Sequence, residues 1–340
     1  MEYAQMIENA KKSIGPYCKV CPVCNGVACK NMIPGPGAKG IGDVAIRNYK
    51  KWQDIRVCMD TLTEQKPVNT KIKIFGKEFA YPFFAAPIGS VKLHYGEKYT
   101  DQEYDTLIVE GCKESGIFAF VGDGRHPDMM LGGINAIKKA GGIGIPTIKP
   151  WDLDTIHEKM KLVKGSGAFA VAMDIDAAGL PFLQYQNPPA GSKSVEQLKE
   201  IVKMTELPFI LKGIMTPKAA LKAVEAGVDA IVVSSHGGRV LDQCMSTAEV
   251  LPSIVKAVGG KMKIFVDGGI RSGVDIFKAL ALGADAVLLA RPFVTAIYGG
   301  EKAGVEALVT KLSNELIDTM KMCGAYELKD IDKDMVSYLV

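Results

Sequence analysis

Eight short apolar runs spread over residues 82–292 constrain this chain more than any other feature. They read PFFAAPI (82–88), GIFAFVG (116–122), GIGIPTI (142–148), AFAVAMDID (168–176), PFILKGI (208–214), AIVVSSH (230–236), KIFVDGG (263–269) and AVLLARP (286–292). Continuous apolar runs predict strands buried on both faces, and hence a parallel sheet covered by helices. Amphipathic stretches lie between them, such as PKAALKAVEAGVD (217–229) and SGVDIFKALALGAD (272–285). The second carries a serine at its N-cap position and a glycine near its end.

Eight strands, each followed by a helix, predict an α/β fold of the closed (β/α)8 TIM-barrel type. An open doubly wound sheet would show a glycine fingerprint after its first strand, and PFFAAPIGSVKL has none. The length of 340 residues accommodates a barrel over 81–340 with an N-terminal extension or cap over 1–80. Within that extension, IPGPGAKGIG (33–42) is too rich in Gly and Pro for a helix, and it reads as a connector to a helical segment containing Asn48 to Thr61. A net charge of +3 with scattered lysines gives no footprint for nucleic acid. No apolar run reaches the length of a membrane span, and MEYAQMIENAKKS lacks the apolar core of a signal peptide, so the cytoplasm is expected.

In a barrel of this kind active sites collect at the carboxyl ends of the strands. Those ends carry Lys149, Asp174, Asp176, Lys212, His236, Arg239, Asp267, Arg271 and Arg291. Core packing does not need charges there, because a buried unpaired charge is costly, so a polar ligand is the better explanation. The segment AIVVSSHGGR (230–239) places a proton acceptor, His236, three residues before Arg239, whose fork of donors fits a carboxylate in two places. VDGGIRSG sets glycines around Arg271 and opens a helix, which aims backbone N–H groups and a helix N-terminus at an anion. LLAR adds Arg291 at the end of the eighth strand, and loops seven and eight are the usual phosphate site of this barrel.

Together, KGIMTPKAALKAVEAGVDAIVVSSHGGRVLD and VDGGIRSGVDIFKALALGADAVLLARP closely resemble the FMN-dependent α-hydroxy acid oxidases and dehydrogenases, such as glycolate and lactate oxidases. The similarity is dense over 208–293, looser over 80–176 and thin before that. The resemblance implies that His236 is the active-site base, Arg239 the clamp on the substrate carboxylate, and Asp176 the partner that steadies the protonated histidine. It further implies Lys212 near flavin N1 and O2, and Asp267 on the ribityl chain. Gly269, Arg271, Ala290 and Arg291 would hold the phosphate, while Ala86, Pro87, Ile88 and Ser234 would border the ring. Asp174 and Lys149 join this cofactor-binding set from the ends of strands four and three. The implied reaction is oxidation of an L-2-hydroxy acid to the 2-oxo acid, with electrons passed to oxygen or another acceptor. A homo-oligomer, tetrameric or larger, is implied as well.

The chain also departs from the family pattern. GIGIPTIKP offers Thr147 and Lys149 where the family has a substrate-binding tyrosine, and Lys149 reads either as a second cation facing the flavin or as a lysine at the barrel rim. The loop after strand four is short and lacks the family's second substrate-binding arginine. Arg125 could compensate or be solvated; Tyr17 and Tyr49 are the candidates for the family's N-terminal tyrosine. Finally, Cys18, Cys21, Cys24 and Cys29 have the spacing C-x2-C-x2-C-x4-C, which suits zinc or an iron–sulfur cluster, or else a reduced loop packed on the barrel. Two alternative functions follow: a flavin isomerase resembling type 2 isopentenyl diphosphate isomerase, and a non-catalytic flavin or metal sensor. The pairing of His236 with Arg239 speaks against the isomerase, because it suits a substrate bearing a carboxylate.

Overall fold

The computed structural model describes residues 1–338 apart from Arg125, Gln184 and Pro188. Every one of the eight apolar runs contains a strand of one parallel sheet. These are β1 (Phe83–Ala85), β2 (Phe120–Val121), β3 (Ile145–Ile148), β4 (Val171–Asp174), β5 (Phe209–Ile214), β6 (Ala230–Val233), β7 (Lys263–Val266) and β8 (Ala286–Leu289). Each pairs in parallel with its sequence neighbour from β2 through β8, and β8 returns to β1. A parallel bridge between Ala85 and Ala119 closes the ring. The strands are almost wholly buried, as expected where side chains fill the barrel on one face and meet helices on the other.

Helices follow the strands in turn, including Pro217–Glu225 and Gly273–Ala281 within the two stretches read as amphipathic. Ser272 caps the latter, its Oγ accepting from the Asp275 N–H at 3.1 Å. No helix among the described residues is long and apolar enough to cross a membrane.

The first 80 residues wrap the barrel from one end to the other. Helix Tyr3–Ser13 packs on the long final helical segment, Arg291–Met322, which is kinked at Gly300 and Glu301, and the Cys-rich arm then crosses the carboxyl-end mouth. Helix Asp43–Gln53 leans on the ends of β6 and β7, where Trp52 Nε1 donates to Gly268 O at 2.8 Å. That helix stops short of the expected Thr61. Ile55–Val57 instead pairs antiparallel with Val336–Tyr338, a partner about 280 residues away that local pattern cannot reveal. At the opposite end of the barrel, the hairpin Ile72–Ile74/Lys77–Phe79 inserts Phe79 against Phe84, Phe118 and Phe169. This aromatic plug leaves the carboxyl end as the open mouth.

Candidate active site

A cavity of about 1180 Å³ occupies that mouth. His236, Arg239, Lys149 and Lys212 line it, as do Asp267, Gly269, Arg271, Ala290 and Arg291 from the last two strand ends. Ala86, Pro87 and Ile88 border it from the end of β1. Asp174, Asp176 and Ser234 stand behind this lining and act on it through contacts.

His236 has φ 53°, a left-handed conformation that a non-glycine residue adopts only when its surroundings hold it there. Two contacts do so: its N–H donates to Ser234 Oγ at 3.0 Å, and its Nδ1 meets Asp176 Oδ1 at 3.0 Å. Asp176 can only accept, so Nδ1 carries the proton and Nε2 keeps its lone pair. Burial and the Lys212 cation pull the His236 pKa below its ordinary value, while Asp176 pulls the other way. The imidazole is therefore a neutral base near pH 7. Burial acts to raise the Asp176 pKa, but Lys212 and His236 outweigh it and hold the carboxylate ionised. Asp176 gets this close because Gly213 has no side chain: a Cβ there would stand 2.5 Å from the Asp176 Cβ.

Lys212 is buried, which favours its neutral form, yet Asp176, Asp267 and Asp174 raise its pKa and keep it charged. Its Nζ lies 3.7 Å from Asp267 Oδ2. Lys149 is buried, lines the cavity and ion-pairs with Asp174 at 2.5 Å. One group went unnoticed in the sequence. Asp123, at the end of β2, accepts from the Lys149 N–H (3.1 Å), Trp151 Nε1 (2.8 Å) and Lys159 Nζ (2.8 Å), and so locks the β3 loop. Its signal was the GDG that ends the second run.

Several expectations need correction. The start of helix Gly273–Ala281 is satisfied internally, because Gly273 N–H donates to Glu315 Oε2 (2.8 Å) and Arg271 N–H to Asp275 Oδ2 (3.0 Å). An anion here would have to be met by the Arg271 and Arg291 side chains and the loop glycines instead. Arg239 does not present its whole fork, since Nη1 donates to Gly35 O (2.6 Å) and Gly37 O (3.2 Å) of the arm. Neither Tyr17 nor Tyr49 lines the cavity, whereas Tyr95 and Tyr185 do. Thr147 is buried beneath it. Arg125 lies outside the described residues.

The four arm cysteines are all free thiols. They do not gather at the spacing of about 3.8 Å that a tetrahedral zinc with 2.3 Å bonds imposes. Among the described residues, Asp174, Asp176 and His236 form the one trio of His, Cys, Asp or Glu side chains within 4.8 Å of one another. Cys24 sits instead against Arg271, whose Nε donates to the Cys24 carbonyl at 2.8 Å.

FMN fits these residues. Arg271 and Arg291 offer two cations from loops seven and eight, and Lys212 is a buried ammonium in the same cavity. Thr147 Oγ1, Asp174 Oδ1 and Asp267 Oδ1 are buried with no hydrogen-bond partner among the described residues, a cost that a polar ligand would relieve. A barrel with two arginines at its last two loops, a buried lysine and a histidine–aspartate pair suits a flavin-dependent oxidoreductase. The model of the FMN-dependent dehydrogenase family matches residues 36–187 and 182–338. This chain belongs to that family.

Relatives agree. The chain is 31% identical over 320 residues to a 2-hydroxyacid oxidase of Dictyostelium discoideum, covering 85% of this chain and 81% of that one. It is 46% identical over 144 residues to the peroxisomal (S)-2-hydroxyacid oxidase GLO3 of Arabidopsis thaliana; that match spans 42% of this chain and only 39% of the relative. A mandelate oxidase variant solved with a monooxide FMN adduct superposes with a TM-score of 0.76 at 26% identity, over 92% of this chain and 98% of that one.

Proposed function

We propose that this chain oxidises an L-2-hydroxy acid to the 2-oxo acid at the carboxyl-end cavity and passes the electrons to oxygen or another acceptor. The observation that carries the reading is the His236–Asp176 pair, with the base neutral and its Nε2 free, in one cavity with the cationic Arg239. Bound FMN supplies the two-electron acceptor, and the protein supplies position and charge. Arg271, Arg291, Gly269 and Ala290 would hold its phosphate and Asp267 its ribityl chain. Ala86, Pro87, Ile88 and Ser234 would border the ring, with Lys149 and Asp174 beneath.

Arg239 binds the substrate carboxylate through Nη2, the end of its fork that the arm leaves to the cavity. His236 Nε2 takes the substrate proton, and Asp176 stabilises the imidazolium that results. Lys212 provides positive charge where negative charge develops as electrons are accepted. A homo-oligomer in the cytoplasm belongs to the same proposal, and light scattering of the purified protein would check the assembly. The deciding experiment is anaerobic addition of lactate, glycolate and longer homologues to FMN-loaded protein. Bleaching of the flavin absorbance is expected with at least one of them, and a spectrum unmoved by the whole panel would refute the reading.

A further inference from the structure

His94 sits in the short helix Val91–Tyr95 after β1, lines the cavity and touches Arg239. Its two ring nitrogens have different neighbours. The Gly35 N–H donates to Nδ1 at 3.0 Å, so Nδ1 carries the lone pair and the neutral ring must bear its proton on Nε2. Burial and the adjacent guanidinium keep the ring neutral, with a pKa lowered to about 3. Yet Nε2 lies 3.2 Å from Arg239 Nη2, which also has only hydrogens to offer. Two donors therefore face each other inside the cavity, and neither can accept from the other. Arg239 cannot swing away easily, because two arm carbonyls hold its Nη1.

Such an arrangement calls for an acceptor shared by both groups. The chain lacks the family's second substrate-binding arginine on the loop after β4, so the carboxylate clamp is one residue short. We infer that His94 completes it: Nε2–H of His94 and Nη2 of Arg239 converge on the substrate carboxylate as a mixed pair of donors. The inference rests on the hydroxy-acid reading above and adds a second recognition residue to it. It also gives the N-terminal arm a role in specificity, since Gly35 sets the His94 tautomer through its N–H and steadies Arg239 through its carbonyl. A neutral second donor binds the carboxylate without adding a further cation to a cavity that already holds Lys149, Lys212 and Arg239.

Pyruvate, a 2-oxo acid that cannot reduce the flavin, probes this directly when titrated into oxidised, FMN-loaded protein and read by the flavin absorbance. His94→Phe keeps a ring and removes the donor, and its pyruvate affinity is expected to fall about 10–100-fold, the range for losing a hydrogen bond to a charged group. His94→Asn keeps a side-chain oxygen for the Gly35 N–H but is too short to reach the carboxylate, so it should lose as much. His94→Gln places an amide N–H near the Nε2 position and should recover most of the affinity. FMN content should not change in any of the three. Pyruvate binding undiminished in both His94→Phe and His94→Asn, with wild type binding it, overturns the role of His94 alone. A wild-type protein that holds FMN but responds to neither pyruvate nor any hydroxy acid overturns the hydroxy-acid reading, and His94 with it.

Discussion

Asp176 Oδ1 lies 3.0 Å from His236 Nδ1, and that contact decides which nitrogen of the base faces the cavity. With the proton held on Nδ1, only Nε2 can accept from a substrate. His236→Ala should keep FMN bound yet lose about 10²–10⁴ in the rate of flavin reduction, the usual contribution of a general base. Asp176→Asn keeps the shape but removes the anion that stabilises the imidazolium, so reduction should slow while FMN content stays constant. Stopped-flow reduction alongside flavin-to-protein stoichiometry checks both, and full-rate reduction in His236→Ala would remove the histidine from the mechanism.

The pH profile follows from the same group. Burial and Lys212 hold the His236 pKa below its ordinary value of about 6.5, with Asp176 opposing. The base is thus unprotonated at neutral pH, and kcat/KM should fall only on the acid side of pH ~6.5 as the imidazole takes up a proton. Removing Asp176 removes the opposing anion, so the acid limb of Asp176→Asn should move to lower pH. Stability has a matching sign. Below the ordinary histidine pKa the unfolded chain binds more protons at this position than the folded one, so this group destabilises the fold as pH falls through that window. Asp176 works at lower pH: its depressed pKa contributes stability above the unfolded carboxylate value of about 3.9, lost as pH falls through the folded one. Denaturant melts between about pH 2 and pH 8 would span both windows and test these directions.

The barrel was legible because its strands announce themselves locally: each apolar run is continuous, and the last six carry at or near their ends a charged residue or a histidine that a core does not want. His236, Lys212, Asp267 and Arg291 could be read from that contrast alone, and the structure brings them to one cavity. What stayed hidden depends on contacts between residues far apart in the chain. Glu315 occupies the helix start at Gly273 from 42 positions away, and the Gly35 carbonyl takes one end of Arg239 from 204. His94 was missed because VKLHY is too short to show a period, although a lone histidine just after the first strand was a usable signal. The cysteine spacing pointed toward a metal, but spacing says nothing of the two arginines against which the arm packs.

Asn48 and Gly269 bind the extension to the anion loop. Asn48 is buried; its Nδ2 donates to Ser235 Oγ at 2.9 Å and its Oδ1 accepts from the Thr247 N–H at 3.1 Å. Its backbone carbonyl lies so near Gly269 that an added Cβ would stand 2.2 Å from that oxygen, at a φ of +85° that already disfavours any side chain. Gly269→Ala should therefore cost more than about 2 kcal/mol, from backbone strain and displacement of the helix. FMN affinity should drop in parallel, because the same loop faces the anion site. Asn48→Ala leaves the Thr247 N–H without its partner and should cost about 1–3 kcal/mol. Thermal melts paired with FMN titration measure both, and a Gly269→Ala protein as stable as wild type would show that helix and loop are not packed as described.

Cys24 offers a test of where the cofactor phosphate binds. Burial acts to raise its thiol pKa, but Arg271 and Arg291 overcome this and hold it below the ordinary value. Cys18, by contrast, is pushed up to about 11, chiefly by burial, and Cys29 is also raised. Thiolate is the reactive form, so iodoacetamide should label Cys24 faster than Cys18 or Cys29 in protein stripped of FMN. A phosphate placed between the same two arginines would neutralise the charge that favours the thiolate. Labelling of Cys24 should then slow several-fold on adding FMN, and to a lesser extent on adding inorganic phosphate, while riboflavin, which lacks the phosphate, should protect far less. Peptide mapping by mass spectrometry reads each cysteine separately. Equal protection by riboflavin and FMN would move the phosphate away from Arg271 and Arg291, and with it the orientation in which a flavin could lie beneath His236.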